Sequence, residues 1–167
     1  MRTQAIQLET LRQKIEDSEF EAGNQSDYLD RGKPNAAQAK RAQELIVKLN
    51  SQTEASKAEL RQSIATMRLE EPQALHEWVD FHVDILDKIV NEKTTGANAV
   101  TRRNVAKGTL QEWENVRAGG QDYVRINWYF LKDYKAGVRS ITGGVSKKAD
   151  GTNHTKTEDK AWWQFWK

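Results

Sequence analysis

The sequence predicts an all-α, partly elongated protein: a helical hairpin with a coiled-coil seam, a small C-terminal helical cluster, and an aromatic tail on a tether. Three observations carry that prediction. Apolar residues recur at three- and four-residue steps, the period of a helix face rather than of a strand. Only 37% of the residues are apolar and the mean hydropathy is -0.85, too polar for a well-filled globule of 167 residues and suited to long, partly solvated helices. The longest periodic stretch, residues 36–69, contains neither glycine nor proline.

In the first helix, residues 3–22, Leu8, Leu11, Ile15 and Glu19 follow a 3-4-4 spacing with Phe20 beside them, a narrow stripe on a charged rod. Gly23, Asn24, Gln25 and Ser26 are expected to end it, and a loop follows to Pro34, which cannot continue an earlier helix. Asn35 or the turn before it starts the second helix, which runs to about Leu69. There Ala42, Ile46, Leu49, Thr53, Ser56, Leu60, Ser63 and Met67 fall on alternating steps of four and three, a heptad seam. Thr53, Ser56 and Ser63 stand where Leu or Ile would stabilise such a seam, so cover from helix 1, from a second subunit, or from both is expected. Ile46, Leu49, Leu60 and Met67 are the residues assigned to self-association.

Glu70, Glu71 and Pro72 make a helix start, with carboxylates at the positive end of the dipole and proline in the first turn. The third helix then carries the widest apolar stripe, including Leu75, Trp78, Val79, His82, Ile85, Leu86 and Ile89, and should form the core of the C-terminal part. Residues 94–96 stop it. A fourth helix, from about residue 99 to 117, turns Ala106, Leu110 and Trp113 inward and closes at Gly119 and Gly120. Residues 123–141 fit both periods, and helix is preferred because a lone strand would lack a partner. The run "GGVSKKADGTNHTKTEDK", residues 143–160, has turn-formers and charge without periodicity and reads as a linker to the closing "AWWQFWK". Four units result: 1–71, 72–142, 143–160 and 161–167.

Several function classes are set aside by composition. With no cysteine, disulfides, thiolate metal sites and cysteine nucleophiles are excluded. Phosphate-binding glycine loops, nucleophile elbows and H-E-x-x-H are absent, and three histidines leave little general-base chemistry, so no catalytic residue and no cofactor is expected. His76, Asp80 and Asp84 share one edge of helix 3 with Asp87 nearby, but a solvated acidic face explains them, and His82 falls in the apolar stripe as a core histidine. No metal is assigned. No stretch of eighteen apolar residues occurs and the first residues lead into a polar helix rather than an apolar leader, so a cytoplasmic protein, or a component of an assembly built in the cytoplasm, is expected.

The net charge of +2 conceals -4 over residues 1–96 and +6 over residues 97–167. Acidic helix 3 followed by the basic start of helix 4 predicts an antiparallel pair. Arg102, Arg103, Lys107, Lys132, Lys135 and Arg139, interleaved with aromatics, open a second reading as a nucleic-acid-associated helical protein. The tail supplies the first reading. Burying Trp162, Trp163, Phe165 and Trp166 would remove roughly 600–1,000 Å² from water, a gross gain that exceeds the cost of ordering seven residues. These aromatics and Lys167 are therefore expected to attach to something: this chain or a second copy, a different protein, or a membrane surface. The expected role is a non-enzymatic structural adaptor or assembly component, homo-oligomeric or part of a larger complex, with nucleic-acid association and Trp anchoring at a membrane surface as alternatives.

Overall fold

The computed structural model describes residues 2–141, with side chains to residue 137; residues 142–167, including the expected linker and aromatic tip, lie outside the described residues. Five α-helices and one 3-10 turn make up the described chain, with no strand among them: α1 (Thr3–Arg31), α2 (Ala36–Glu70), α3 (Pro72–Val90), α4 (Ala97–Ala118), the 3-10 turn (Trp128–Phe130) and α5 (Leu131–Ile141). The all-α expectation is borne out.

α2 begins where the sequence places it. Asn35 Oδ1 accepts from the Gln38 N–H at 2.9 Å while Gln38 Oε1 accepts from the Asn35 N–H at 3.0 Å, so two otherwise orphaned donors are satisfied reciprocally behind Pro34. α1, by contrast, is longer than expected. It passes through Gly23–Ser26 and ends only at Arg31, because one interior glycine costs a helix only about 1 kcal/mol and packing on α2 offsets that. Ala22 is buried, and Gln25 and Tyr28 share a crevice with Gln38, Ala42 and Leu45 of α2.

The start of α1 meets the end of α2, with Leu8 and Leu11 near Ser63 and Met67, so the two helices run antiparallel. The expected seam is the covered face of α2: Ala42, Thr53, Ser56, Leu60 and Met67 are buried and Ile46, Leu49 and Ser63 half-buried.

α3 and α4 also pair antiparallel. Arg117 near the end of α4 meets Asp80 of α3 at 2.7 Å, and Arg102 near its start meets Glu92 just beyond the end of α3. The apolar stripe of α3 is buried as expected, with Trp78, Val79, His82 and Leu86 wholly inaccessible. Residues 121–127 are neither helix nor strand; only from Leu131 does the expected helix form, preceded by the 3-10 turn. Gly137 admits α5 closely to α3, since a β-carbon there would lie 2.8 Å from Ile85 Cδ1. One apolar cluster takes residues from all these elements, from Ala5, Leu8 and Ile15 of α1 to Val124, Phe130 and Tyr134, so the one-residue break at 71 lies within a shared core.

α4 ends in a Schellman motif: the Gly120 N–H reaches the Asn115 carbonyl at 2.9 Å and the Gly119 N–H reaches Val116 at 3.2 Å, with Gly119 at φ +92°. Arg68 of α2 donates to the carbonyls of Val116 and Arg117 at 2.9 and 2.8 Å, tying the ends of α2 and α4 together. A β-carbon on Gly119 would sit 3.3 Å from that pinned guanidinium. Gly119→Ala is accordingly expected to cost about 1–2 kcal/mol in urea denaturation, for left-handed strain, and Gly120→Ala within about 0.5 kcal/mol of zero.

Candidate functional site: a buried charge cluster and the cleft beside it

The face of α1 that enters the core is charged. Glu9, Arg12 and Glu16, at three- and four-residue steps, are 3%, 2% and 7% exposed. Arg12 lies between the two acids, donating from Nε and Nη2 to Glu9 (3.0 and 2.9 Å) and from Nη1 to Glu16 at 2.9 Å. Glu9 Oε2 also receives the Trp78 indole N–H at 3.0 Å and lies 2.8 Å from His82 Nε2. Glu16 Oε1 accepts the backbone N–H of Ile126 at 2.8 Å. One turn further on, Glu19 takes Lys57 of α2 at 2.7 Å and the Tyr123 hydroxyl at 3.2 Å. Through these acids α1 holds α2, α3 and the 121–127 segment at once.

His82 is wholly buried and stacked on Trp113, ring centroids 3.6 Å apart and planes 9° from parallel, while Trp78 meets Trp113 edge-on at 5.0 Å. Burial pushes its pKa down to about 4 despite the attraction of Glu9, so the ring is neutral at pH 7. Burial works to raise the Glu9 carboxyl, but the charges and hydrogen bonds of His82 and Arg12 overcome it and hold Glu9 far below the usual carboxylate range. At neutral pH the cation that persists is Arg12. An ionised Glu9 has no proton to give, so Nε2–H donates to it and Nδ1, which meets no partner among the described residues, is the bare nitrogen. This Glu–His pair is sealed from any substrate as it stands; it positions α1 on α3.

Immediately outside Glu16 the surface opens. A cleft of about 560 Å³ runs between α1 (Glu16, Phe20), α4 (Val105, Gly108, Thr109, Glu112) and residues 125–131. Trp128 stands at its edge 58% exposed, stacked on Tyr129 with centroids 3.8 Å apart, and a second hollow of about 400 Å³ lies on its other side against Asn98, Ala99 and Arg102. Trp128 is thus a ridge between two depressions.

The residues singled out from sequence are dispersed. Trp162, Trp163, Phe165, Trp166 and Lys167 lie outside the described residues. Of the seam set, Leu60 and Met67 are covered by the chain's own core, and Ile46 and Leu49 are half-buried. Of the basic set, Arg102 spends its guanidinium on Glu92, on Asp133 at 2.6 Å and on the Tyr129 carbonyl at 3.2 Å. Arg103 holds the Thr94 and Glu92 carbonyls at 2.6 and 3.3 Å. Lys107, Lys132 and Lys135 are exposed, and the Arg139 side chain is outside the described residues. His76, Asp80, Asp84 and Asp87 lie on the exposed edge of α3, and among the described residues no three acidic or histidine side chains converge as metal ligands would. Among the described residues no helix is long and apolar enough to cross a membrane. Comparison of the chain with protein-family models, with curated proteins and with solved structures finds no match.

Proposed function

We propose that this chain is a non-enzymatic helical adaptor that acts through aromatic protein–protein contacts, made by Trp128 and by the Trp-rich segment 161–167. The observation that carries the reading is Trp128, exposed by 58% yet fixed by stacking on Tyr129 between two hollows. A rigid, solvent-facing indole loses little conformational freedom on binding, which is why tryptophan dominates the energetic centres of interfaces. Arg102 and Arg103 on its far side are occupied internally, so that side offers packing more than free charge. Self-association, in this reading, uses the half-buried Ile46–Leu49 stretch together with Val47, which is 70% exposed, because Leu60 and Met67 are already covered.

The test compares the full chain with Trp128→Ala and with a chain ending at residue 160. Helicity by circular dichroism should stay nearly unchanged in both and the melting temperature should fall by a few degrees at most, while binding to partners captured by chemical cross-linking of the full chain falls at least tenfold. A truncated chain that melts many degrees lower would make the tip part of the core and overturn the docking role, as would turnover of a small molecule by the full chain.

A further inference from the structure

α4 carries a glycine where its own helix gains nothing from one. Gly108 lies in mid-helix on an exposed face, where almost any other residue would be the better helix former. A β-carbon there would meet no atom of the described residues within 4 Å, so close packing by another described element does not account for it. Gly108 is instead part of the wall of the 560 Å³ cleft, and its missing side chain leaves room for a group arriving from outside. Phe20, Val105, Ile126 and Leu131 supply the apolar lining, with Trp128 at the edge. The volume is within the range of clefts that enclose compact organic groups, about 300–1,000 Å³.

We propose that the occupant is the chain's own C-terminal segment, residues 161–167, seated with its indoles over Gly108 and against Trp128. This rests on the docking role given above to the tip and adds a regulation of it, tip and cleft covering each other until a partner competes. Reach selects this occupant. Leu131 lines the cleft and opens α5, whose eleven residues carry the chain about 16 Å onward at 1.5 Å per residue. Residues 142–160 then intervene, and nineteen residues, if they have the linker character their composition suggests, would have an r.m.s. span of about 25 Å. That span exceeds the roughly 16 Å to be crossed, so the tether reaches the cleft at an effective concentration of millimolar order. Chemistry agrees: "AWWQFWK" has no acidic side chain and one lysine, while the cleft offers Glu112 to that cation and the Arg125 guanidinium to an indole face.

The experiment is hydrogen exchange on the full chain at two protein concentrations tenfold apart, comparing the native sequence, Gly108→Gln and Trp128→Ala. The amides of 161–167 should exchange about ten- to a hundredfold more slowly than in the isolated heptapeptide, equally at both concentrations. Gly108→Gln, which fills the cleft with a better helix former, should abolish that protection with helicity by circular dichroism unchanged. Trp128→Ala, a change at an exposed side chain, gives the same readout should the first variant misfold. Absence of protection in the native chain, or protection that survives both substitutions, would overturn the proposal while leaving the partner-docking role standing. Protection that fades on dilution would assign the cleft to the tip of a second copy and overturn it equally.

Discussion

Replacing Arg12 with alanine is expected to destabilise the protein by about 3–5 kcal/mol, the cost of leaving buried charges without their partner. Glu9 and Glu16 have side chains 4% and 10% exposed, and Arg12 is the cation between them. Against a total stability of roughly 5–15 kcal/mol for a natural domain, the loss would leave the chain close to unfolding at ambient temperature. Replacing a buried ionic triad as a whole by apolar residues is often neutral, because desolvation cancels attraction. Here it is not expected to be, since an apolar residue at Glu9 would also strand the Trp78 N–H and the His82 Nε2–H. Urea denaturation of Arg12→Ala at pH 7 checks this. A loss under about 1 kcal/mol would mean that the two acids find water or protons instead.

The same cluster should make the fold acid-labile from above pH 6. The folded His82 pKa, about 4, lies below the value of 6.5 that it takes in the unfolded chain. Between those values the unfolded chain binds the extra proton, so stability is full above about pH 6.5 and falls by about 3 kcal/mol as pH drops to about 4. Glu9 adds to the loss below its unfolded value of 4.5, because its folded pKa is depressed and its protonation weakens the contact with Arg12. His82→Gln, whose amide nitrogen takes the place of Nε2 but does not titrate, should flatten the stability profile between pH 6.5 and 4.5. Chemical denaturation at half-unit pH steps reads both curves, and an unchanged slope in His82→Gln would move the acid sensitivity to another group.

Much of the helical framework was readable because apolar spacing and punctuation agree along it. The α3 stripe, the capping residue Asn35 and the Gly119 terminator each have a local cause, and His82 falls within the apolar stripe by angle alone. The end of α1 was not readable, because contacts with α2 near Tyr28 outweigh the local preference of Gly23–Ser26 to turn. Nor was the charged cluster. Glu9, Arg12, Glu16 and Glu19 have the same three- and four-residue rhythm as an apolar seam, but ionised side chains at that rhythm ordinarily face water. The available signal was a helix bearing two such stripes side by side, Leu8–Ile15 and Glu9–Glu16, on a chain too poor in apolar residues to bury three long helices with hydrocarbon alone. The cleft could not be found from sequence, since Phe20, Gly108 and Trp128 meet only once the chain is folded.

Because the acids of α1 also take donors far along the chain, α1 is among the last of these helices to be fully desolvated. Trp78 and His82 follow Glu9 by 69 and 73 positions, and the Ile126 amide follows Glu16 by 110. A nascent chain that has made only α1 and α2 keeps its guanidinium and carboxylates wet, with no reason to collapse around them. Assembly of the core therefore waits on residues near 126, and what forms then has one register, because sliding α1 by a single turn would part Glu9, Glu16 and Glu19 from their donors on the other elements.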